Sequence, residues 1–448
     1  PVRNDSTPLT VADAIISSLG RWGVEAIYGV SGANIEHLHD AIHRQPHQSV
    51  RSVAARSESG AAFMADAHAR VHGTLGVCCA TSGGGMMNLA VGVAEAYQEG
   101  IPVLAIVGQV SRAHEGIGGF QDSSGQCNTV NAEALWRSIS KEVRVVRSAD
   151  TFWQDLLGAV RACLTGRKGP ATLLIPRDVF GEEVPPCPAS WPSTLQGFGP
   201  NRAPSIRKLH DALIGAERPL LVAGSRLRNT RDPEAFMAFA ESAQIPVVST
   251  LSDIGAFPNE HPLYLGTIGT AGHPSAHRYI QEEADLVIVA GSSLEMMLSL
   301  PIREALQGIP VAFIDEDVSR VRSPFPHAVA VQGEIGAVFR GLIDRRPRQH
   351  AGAPRGYEIE RTLPRLAEPP PDELDAWKEA EGSLLQSDAL SMIQGVLPEY
   401  QHLLFDAGNC SASALHYLQT NAVLNVIPNR NAPFAKAAPE TEFSQLRL

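Results

Sequence analysis

The sequence predicts an α/β protein built from doubly wound parallel sheets, and three observations predict it. Short, largely apolar runs, such as Ala26 to Val30, Gly76 to Thr81 and Ile101 to Val107, alternate with stretches of helical periodicity. Glycine-bearing turns close these runs, as in Ser31-Gly32-Ala33-Asn34 and Ser82-Gly83-Gly84-Gly85. Strands that are apolar on both faces belong to a parallel sheet covered by helices on both sides. Finally, two proline-dense stretches, Glu182 to Pro204 and Arg345 to Asp372, cut the 448 residues into three blocks. Such density predicts extended connectors rather than packed elements.

In the first block, Thr10 followed by Asp13 reads as a capping-box start, with Val11, Ile15, Leu19 and Trp22 near one helix face. After the Ala26 to Val30 strand and its turn comes another helix. The apolar-leaning run Val50 to Ala55 reads as a strand entering an alanine-rich helix from Glu58 onward. Gly76 to Thr81 is the next strand, with a helix beginning near Met86, and Ile101 to Val107 and Ala171 to Ile175 follow. The middle block repeats the pattern with strands at 219–224, 246–250, 284–291 and 310–315, but Ala223-Gly224-Ser225-Arg226 is no G-x-G-x-x-G, so a nicotinamide site is unsupported. In the last block, Ser387 to Leu397 reads as a helix and Leu403 to Asn409 as a strand with its turn; beyond Pro428 periodicity is lost.

Composition narrows the function classes. A chain of this length with 44% hydrophobic and 19% charged residues is multidomain and globular. A net charge of −11 argues against nucleic acid or an anionic membrane as principal partner, since both attract basic patches. No apolar run approaches the ~20 residues of a bilayer span, and the first residues lack a signal-peptide core. The six cysteines, at 78, 79, 127, 163, 187 and 410, show no C-x-x-C spacing, which predicts a reduced, cytoplasmic setting. His68 and His72 are four apart but lack the glutamate of a zinc helix, and Asp315-Glu316-Asp317 reads as a solvated loop. On residue type alone, Glu58 is a favourable first-turn charge, the glycines serve backbone geometry, and Gly408-Asn409 is a turn dipeptide.

Set in order, however, these pieces resemble the thiamine-diphosphate-dependent enzymes of the acetolactate synthase group. Tyr28-Gly29-Val30-Ser31-Gly32 resembles that family's first glycine turn, and Arg56-Ser57-Glu58-Ser59-Gly60-Ala61-Ala62-Phe63-Met64-Ala65 its glutamate helix. Ala80-Thr81-Ser82-Gly83-Gly84-Gly85-Met86-Met87-Asn88-Leu89 is similar to its Thr-Ser-Gly-Pro-Gly turn, and Phe120-Gln121-Asp122 to its Phe-Gln-acid element. Gly169-Pro170 leading to Pro176-Arg177-Asp178 resembles the end of its first domain, Gly255 to Pro258 with His261-Pro262 its middle domain, and Asp406-Ala407-Gly408-Asn409 the start of its diphosphate-binding domain.

The resemblance implies three doubly wound domains: pyrimidine-binding over 1–181, central and Rossmann-like over 205–342, and diphosphate-binding over 373–448, the last incomplete. It implies a 2-oxo acid decarboxylating carboligase, with a simple decarboxylase or lyase, or a non-catalytic, cofactor-free relative, as alternatives. Glu58 would hydrogen-bond the cofactor's aminopyrimidine and promote its imino form, which needs a carboxyl group with limited water access. Gln121 would orient substrate. Gly29, Val30, Ser31, Ser82, Gly83 and Asn88 would line the cofactor, and Ala407, Gly408, Asn409 and Cys410 would begin the diphosphate site. The expected cofactors are thiamine diphosphate and Mg2+. The metal ligands are unassigned because no Gly-Asp-Gly occurs, and 373–448 is short beside the ~150 residues of such a domain. FAD is not expected, because Gly291-Ser292-Ser293-Leu294 lacks the arginine-bearing pattern of the flavin-carrying synthases. Ser57 stands where relatives commonly carry histidine, which leaves the acceptor open, and the absence of paired histidines after Gly108 weakens a pyruvate-decarboxylase reading. Sites between the subunits of a homodimer or homotetramer are expected.

Overall fold

A computed structural model describes residues 9–45, 49–195, 206–318 (except 231, 233, 252–254 and 271) and 328–345, with Phe325, 386–396, 403–405, 414, 417–418 and 426–428. By its contacts the chain divides into two compact units, the first comprising Pro1–Gly199 with Asn431–Leu448 and the second Pro200–Arg430.

The first unit holds strands β1 (Ala26–Gly29), β2 (Arg51–Ala54), β3 (Gly76–Ala80), β4 (Val103–Gln109), β5 (Glu142–Val145) and β6 (Ala171–Pro176). All pair in parallel in the order β2-β1-β3-β4-β6-β5. Its helices are α1 (Val11–Arg21), α2 (Glu36–Arg44), α3 (Glu58–His72), α4 (Gly84–Glu99), α5 (Ala132–Ile139), α6 (Phe152–Leu164) and the short α7 (Arg177–Phe180). The two-residue alternation of the strands divides the core cleanly. Val77 and Cys79 of β3 join one layer with α1, α2 and α6, while Cys78 and Ala80 join the opposite layer with α3, α4 and α5. The expected Thr10 capping box is present, with Asp13 N donating to Thr10 Oγ1 at 3.2 Å.

Two expectations about this unit need correction. The run expected to be apolar-leaning, β2, is an edge strand with Arg51, Ser52 and Ala54 exposed. The other edge, β5 (Glu-Val-Arg-Val), carries charges for the same reason: an edge strand has one open side and need not be apolar. The first proline-dense stretch is extended but packed over its described part. Glu183 bridges Thr10, Val184 N donates to Leu9 O at 2.9 Å, and Trp191 stacks on Trp22 with ring centroids 5.4 Å apart. Trp22 and Trp153 indoles donate to the carbonyls of Pro192 and Pro185, so aromatic rings and backbone acceptors fasten the prolines that follow the bridge.

The second unit has β7 (Pro219–Ala223), β8 (Val247–Thr250), β9 (Tyr264–Ile268), β10 (Leu286–Ala290), β11 (Val311–Asp315) and β12 (Ala328–Gln332). These are also all parallel, in the order β12-β11-β10-β7-β8-β9, the doubly wound order of a Rossmann sheet. Helices α8 (Arg207–Gly215) and α9 (Glu234–Ala243) are among those that cover it. The Asp315 cluster is not a solvated loop: Asp315 is 1% exposed at the end of β11, and Arg226 Nε donates to its Oδ2 at 2.7 Å. Beyond residue 345, the Gln386–Val396 helix and a parallel pair, β13 (Leu403–Phe405) and β14 (Val426–Pro428), are described.

Candidate active site

In an open α/β sheet, ligands bind beyond the carboxyl ends of the strands, where the order of winding reverses. In the first sheet the chain moves one way from β1 to β2 and the other way from β3 to β4, so the reversal lies between β1 and β3. The loops leaving those strands are Val30 to Ile35 and Thr81 to Gly83, and the next helices begin beside them.

Glu58 enters this crevice as the first residue of α3. Ser57 caps the helix, its Oγ accepting from Gly60 N at 3.1 Å, which leaves the Glu58 carboxylate free of that task. Asn88 on α4 donates from Nδ2 to Glu58 Oε2 at 3.0 Å. A Cβ on Gly85 would lie 3.2 Å from Glu58 Oε1 and 2.8 Å from Thr81 Cγ2. Bare backbone therefore faces the carboxylate, and Glu58 itself is half-buried. The helix α4 starts at Gly84, two residues before the expected Met86, because Gly83 adopts φ 64° at the cap and turns the chain sharply.

A second set of contacts ties Gln121 to the same turn. Thr81 Oγ1 donates to Gln121 Oε1 at 3.3 Å, Gly83 N donates to Ser123 Oγ at 3.3 Å, and Ser123 Oγ donates to Gln121 O at 3.1 Å. Gln121 itself has φ 62°, rare for a residue with a side chain, and a Cβ on Gly83 would lie 2.9 Å from its Cβ. Neighbouring Asp122 holds the loop by accepting from Gly116 N at 2.7 Å and Ser124 N at 2.9 Å. Partial burial would raise its carboxyl, but these backbone donors outweigh that and hold it below the usual range.

On the β1 side, buried Asn34 donates from Nδ2 to Ser82 Oγ at 2.7 Å and from its backbone to Thr81 Oγ1 at 3.2 Å. Gly29 is required by packing, since a Cβ there would lie 2.4 Å from Cys79 Sγ. Val30 is half-buried and Ser31 exposed. The nearby pair of His39 and Cys79, 3.9 Å apart, is no activated thiolate: burial pushes the Cys79 thiol up to about 12. His68 likewise has a structural partner, Tyr28 Oη at 3.1 Å.

The geometry thus brings together Glu58, Asn88, Ser82, Gly83 and Gln121, while Gly29 serves strand contact. Ala407, Gly408, Asn409 and Cys410 lie outside the described residues. The 82–85 turn was legible as part of the site, Gly85 included; sequence reasoning did not single out Thr81, Asn34 or Ser123, whose roles depend on contacts 40 or more positions away. Among the described residues, no group of three or more His, Cys, Asp or Glu side chains could hold a metal ion, and no helix is long and apolar enough to cross a membrane.

Residues 9–129 match the thiamine pyrophosphate enzyme N-terminal TPP binding domain, and residues 206–342 match the central domain of the same enzymes. The chain belongs to the thiamine pyrophosphate enzyme family. It is 32% identical over 340 residues to an acetolactate synthase of Mycobacterium bovis, covering 75% of this chain and 53% of that protein. It is 32% identical over 339 residues to the acetolactate synthase isozyme 1 large subunit of Escherichia coli, covering 75% and 57%. A probable acetolactate synthase large subunit of Methanocaldococcus jannaschii is 30% identical over 339 residues, covering 74% and 55%. The chain spans about half the length of the curated relatives it matches.

The crevice of this thiamine pyrophosphate family member fits the pyrimidine end of such a cofactor. A flat ring needs bare backbone on its flank and a carboxylate at its nitrogen. Gly85 puts bare backbone beside the carboxylate, where a Cβ would lie 3.2 Å from Glu58 Oε1, and Glu58 offers the second.

Proposed function

We propose that the protein is a thiamine-diphosphate-dependent, 2-oxo acid decarboxylating carboligase of the acetolactate synthase type. The observation that carries this reading is Glu58, held by Asn88 and faced by Gly85 at the reversal point of the first sheet. The names of the relatives, acetolactate synthases, support the reaction class. When bound, thiamine diphosphate supplies the electron sink that lets a 2-oxo acid lose CO2 and its acyl fragment pass to a carbonyl acceptor.

The chain's own residues have simpler tasks. Glu58 holds and returns a proton at the ring nitrogen of the pyrimidine, for which the carboxyl needs one oxygen directed at that nitrogen. Ser82, Gly83 and the backbone of 29–31 would flank the ring. Gln121, fastened by Thr81 and Ser123, orients the substrate carboxylate or carbonyl with its amide. Residues 407–410 would begin the diphosphate site, and a bound Mg2+ would supply charge neutralisation there. In this reading residues 1–181, 205–342 and 373–448 act as the pyrimidine-binding, central and diphosphate-binding parts. Ile117 and Phe120, 73% and 81% exposed, sit in the Gln121 loop, and Met87, 44% exposed, precedes Asn88. Large apolar side chains exposed this way support a homodimer or homotetramer that covers them at an inter-subunit site.

Product analysis tests the reading. With thiamine diphosphate, Mg2+ and a panel of 2-oxo acids such as pyruvate, the full-length protein is expected to release a ligated 2-hydroxy ketone product. Free aldehyde as the sole product would make it a simple decarboxylase or lyase. Absence of turnover with no thermal stabilisation by the cofactor would make it a non-catalytic relative.

A further inference from the structure

We propose that Asn88 is a positioning residue that sets the rotation of the Glu58 carboxylate and thereby decides which of its oxygens meets the cofactor; this rests on the thiamine reading above. The packing of α3 on α4 brings the two side chains together. Gly85, Asn88 and Gly92 are spaced i, i+3 and i+7 and so share one face of α4, while Glu58 and Ala62 stand one turn apart on α3. A Cβ on Gly92 would lie 2.6 Å from Ala62 Cβ and 3.0 Å from Phe63 N, so the helices touch there with nothing between them. One turn back along both helices, Asn88 reaches Glu58. The residue before it on that face, Gly85, opens the space over the same carboxylate. Helix register, rather than a local turn, therefore delivers the amide to Glu58.

The two oxygens of Glu58 are consequently unlike. Oε2 accepts from Asn88, and a carboxylate can be served only by the NH2 end of an amide, so the amide's orientation is dictated by its partner. Oε1 accepts no hydrogen bond among the described residues and lies toward Gly85 and Thr81, on the side of the glycine turn. The carboxylate of a first-turn glutamate has several free torsions and would otherwise swing toward solvent or its own helix terminus. Asn88 removes that freedom and presents Oε1 to the ring nitrogen. It touches neither substrate nor cofactor in this role; it acts through Glu58.

The test is a discrimination measurement that needs no turnover. In the full-length protein with Mg2+, calorimetry compares the affinity for thiamine diphosphate with that for an analogue carrying CH in place of the pyrimidine nitrogen. The native protein is expected to prefer thiamine diphosphate by about tenfold, the worth of one hydrogen bond to a charged group. Asn88→Leu should lower that preference at least about threefold while changing the affinity for the analogue less than about twofold, and Asn88→Ala, which adds no bulk at an exposed position, should do the same. An unchanged preference, or equal loss of both affinities, overturns the assignment. If Glu58→Gln abolishes the preference and the Asn88 variants keep it, only the role of Asn88 falls. If the native protein binds neither compound, the thiamine reading itself fails and takes the proposal with it.

Discussion

The crevice between β1 and β3 and the crevice between β7 and β10 hold the same place in two parallel sheets, yet their chemistry is opposite. In the first, Glu58 Oε2 accepts from Asn88 while Oε1, with no donor among the described residues, lies toward Gly85. In the second, the loop after β7 closes onto the turn after β10. Arg226 N donates to Gly291 O at 3.2 Å, and a Cβ on Gly224 would lie 2.5 Å from Ser292 Cβ. The charge there is already matched, with Arg226 held by Asp315, whose side chain is 2% exposed. A shared architecture therefore says where a ligand could bind, and the side chains at the reversal point decide whether reactive groups are offered or consumed.

Breaking each crevice should have opposite consequences. The largest effect on stability belongs to the second sheet. Arg226→Met strands Asp315 in a buried position and is expected to cost about 3 kcal/mol in chemical denaturation, while activity per folded molecule stays near native. In the first sheet, Gly85→Ala places a methyl 2.8 Å from Thr81 Cγ2 and 3.2 Å from Glu58 Oε1. It should cost only about 1 kcal/mol of stability yet weaken thiamine diphosphate binding about tenfold by calorimetry. An unaltered affinity would show that the ring does not approach this turn.

The smallest effect concerns the Gln121 loop and pH. Asp122 has its carboxyl held low because donors at Gly116 and Ser124 outweigh the opposing effect of burial. A carboxylate with a depressed folded-state value contributes stability that is complete above its unfolded value, near 3.9, and is lost as pH falls through the folded value. Hydrogen exchange at the Gly116 and Ser124 amides should therefore stay protected through mild acid and accelerate only below that range. In Asp122→Asn, which cannot ionise, that acid step should disappear.

Much of this was legible in the sequence because it is local. The Thr10–Asp13 capping box, the helix beginning at Glu58 and the central apolar strands follow from spacings within one turn or one strand. Edge strands β2 and β5 were harder, since their character depends on which neighbour is missing. The burial of Asp315 required knowing that Arg226, 89 positions away in sequence, would reach it. The same holds for the strap at Trp191 and its partner Trp22. At the candidate site, Glu58 and Asn88 could each be named, but their pairing depends on how α3 and α4 register at Ala62 and Gly92. Pairing across 30 positions is a property of packing, and no single-residue signal carries it.

The proposed role of Glu58 as the proton-handling carboxyl of a thiamine pyrophosphate enzyme can be tested directly. Glu58→Gln keeps the size of the side chain and its partner at Asn88 within reach, so the melting temperature should stay within about 2 °C of native. Steady-state turnover of a 2-oxo acid by the full-length protein, with thiamine diphosphate and Mg2+ saturating, should fall at least about hundredfold. Native turnover in the folded variant would contradict it.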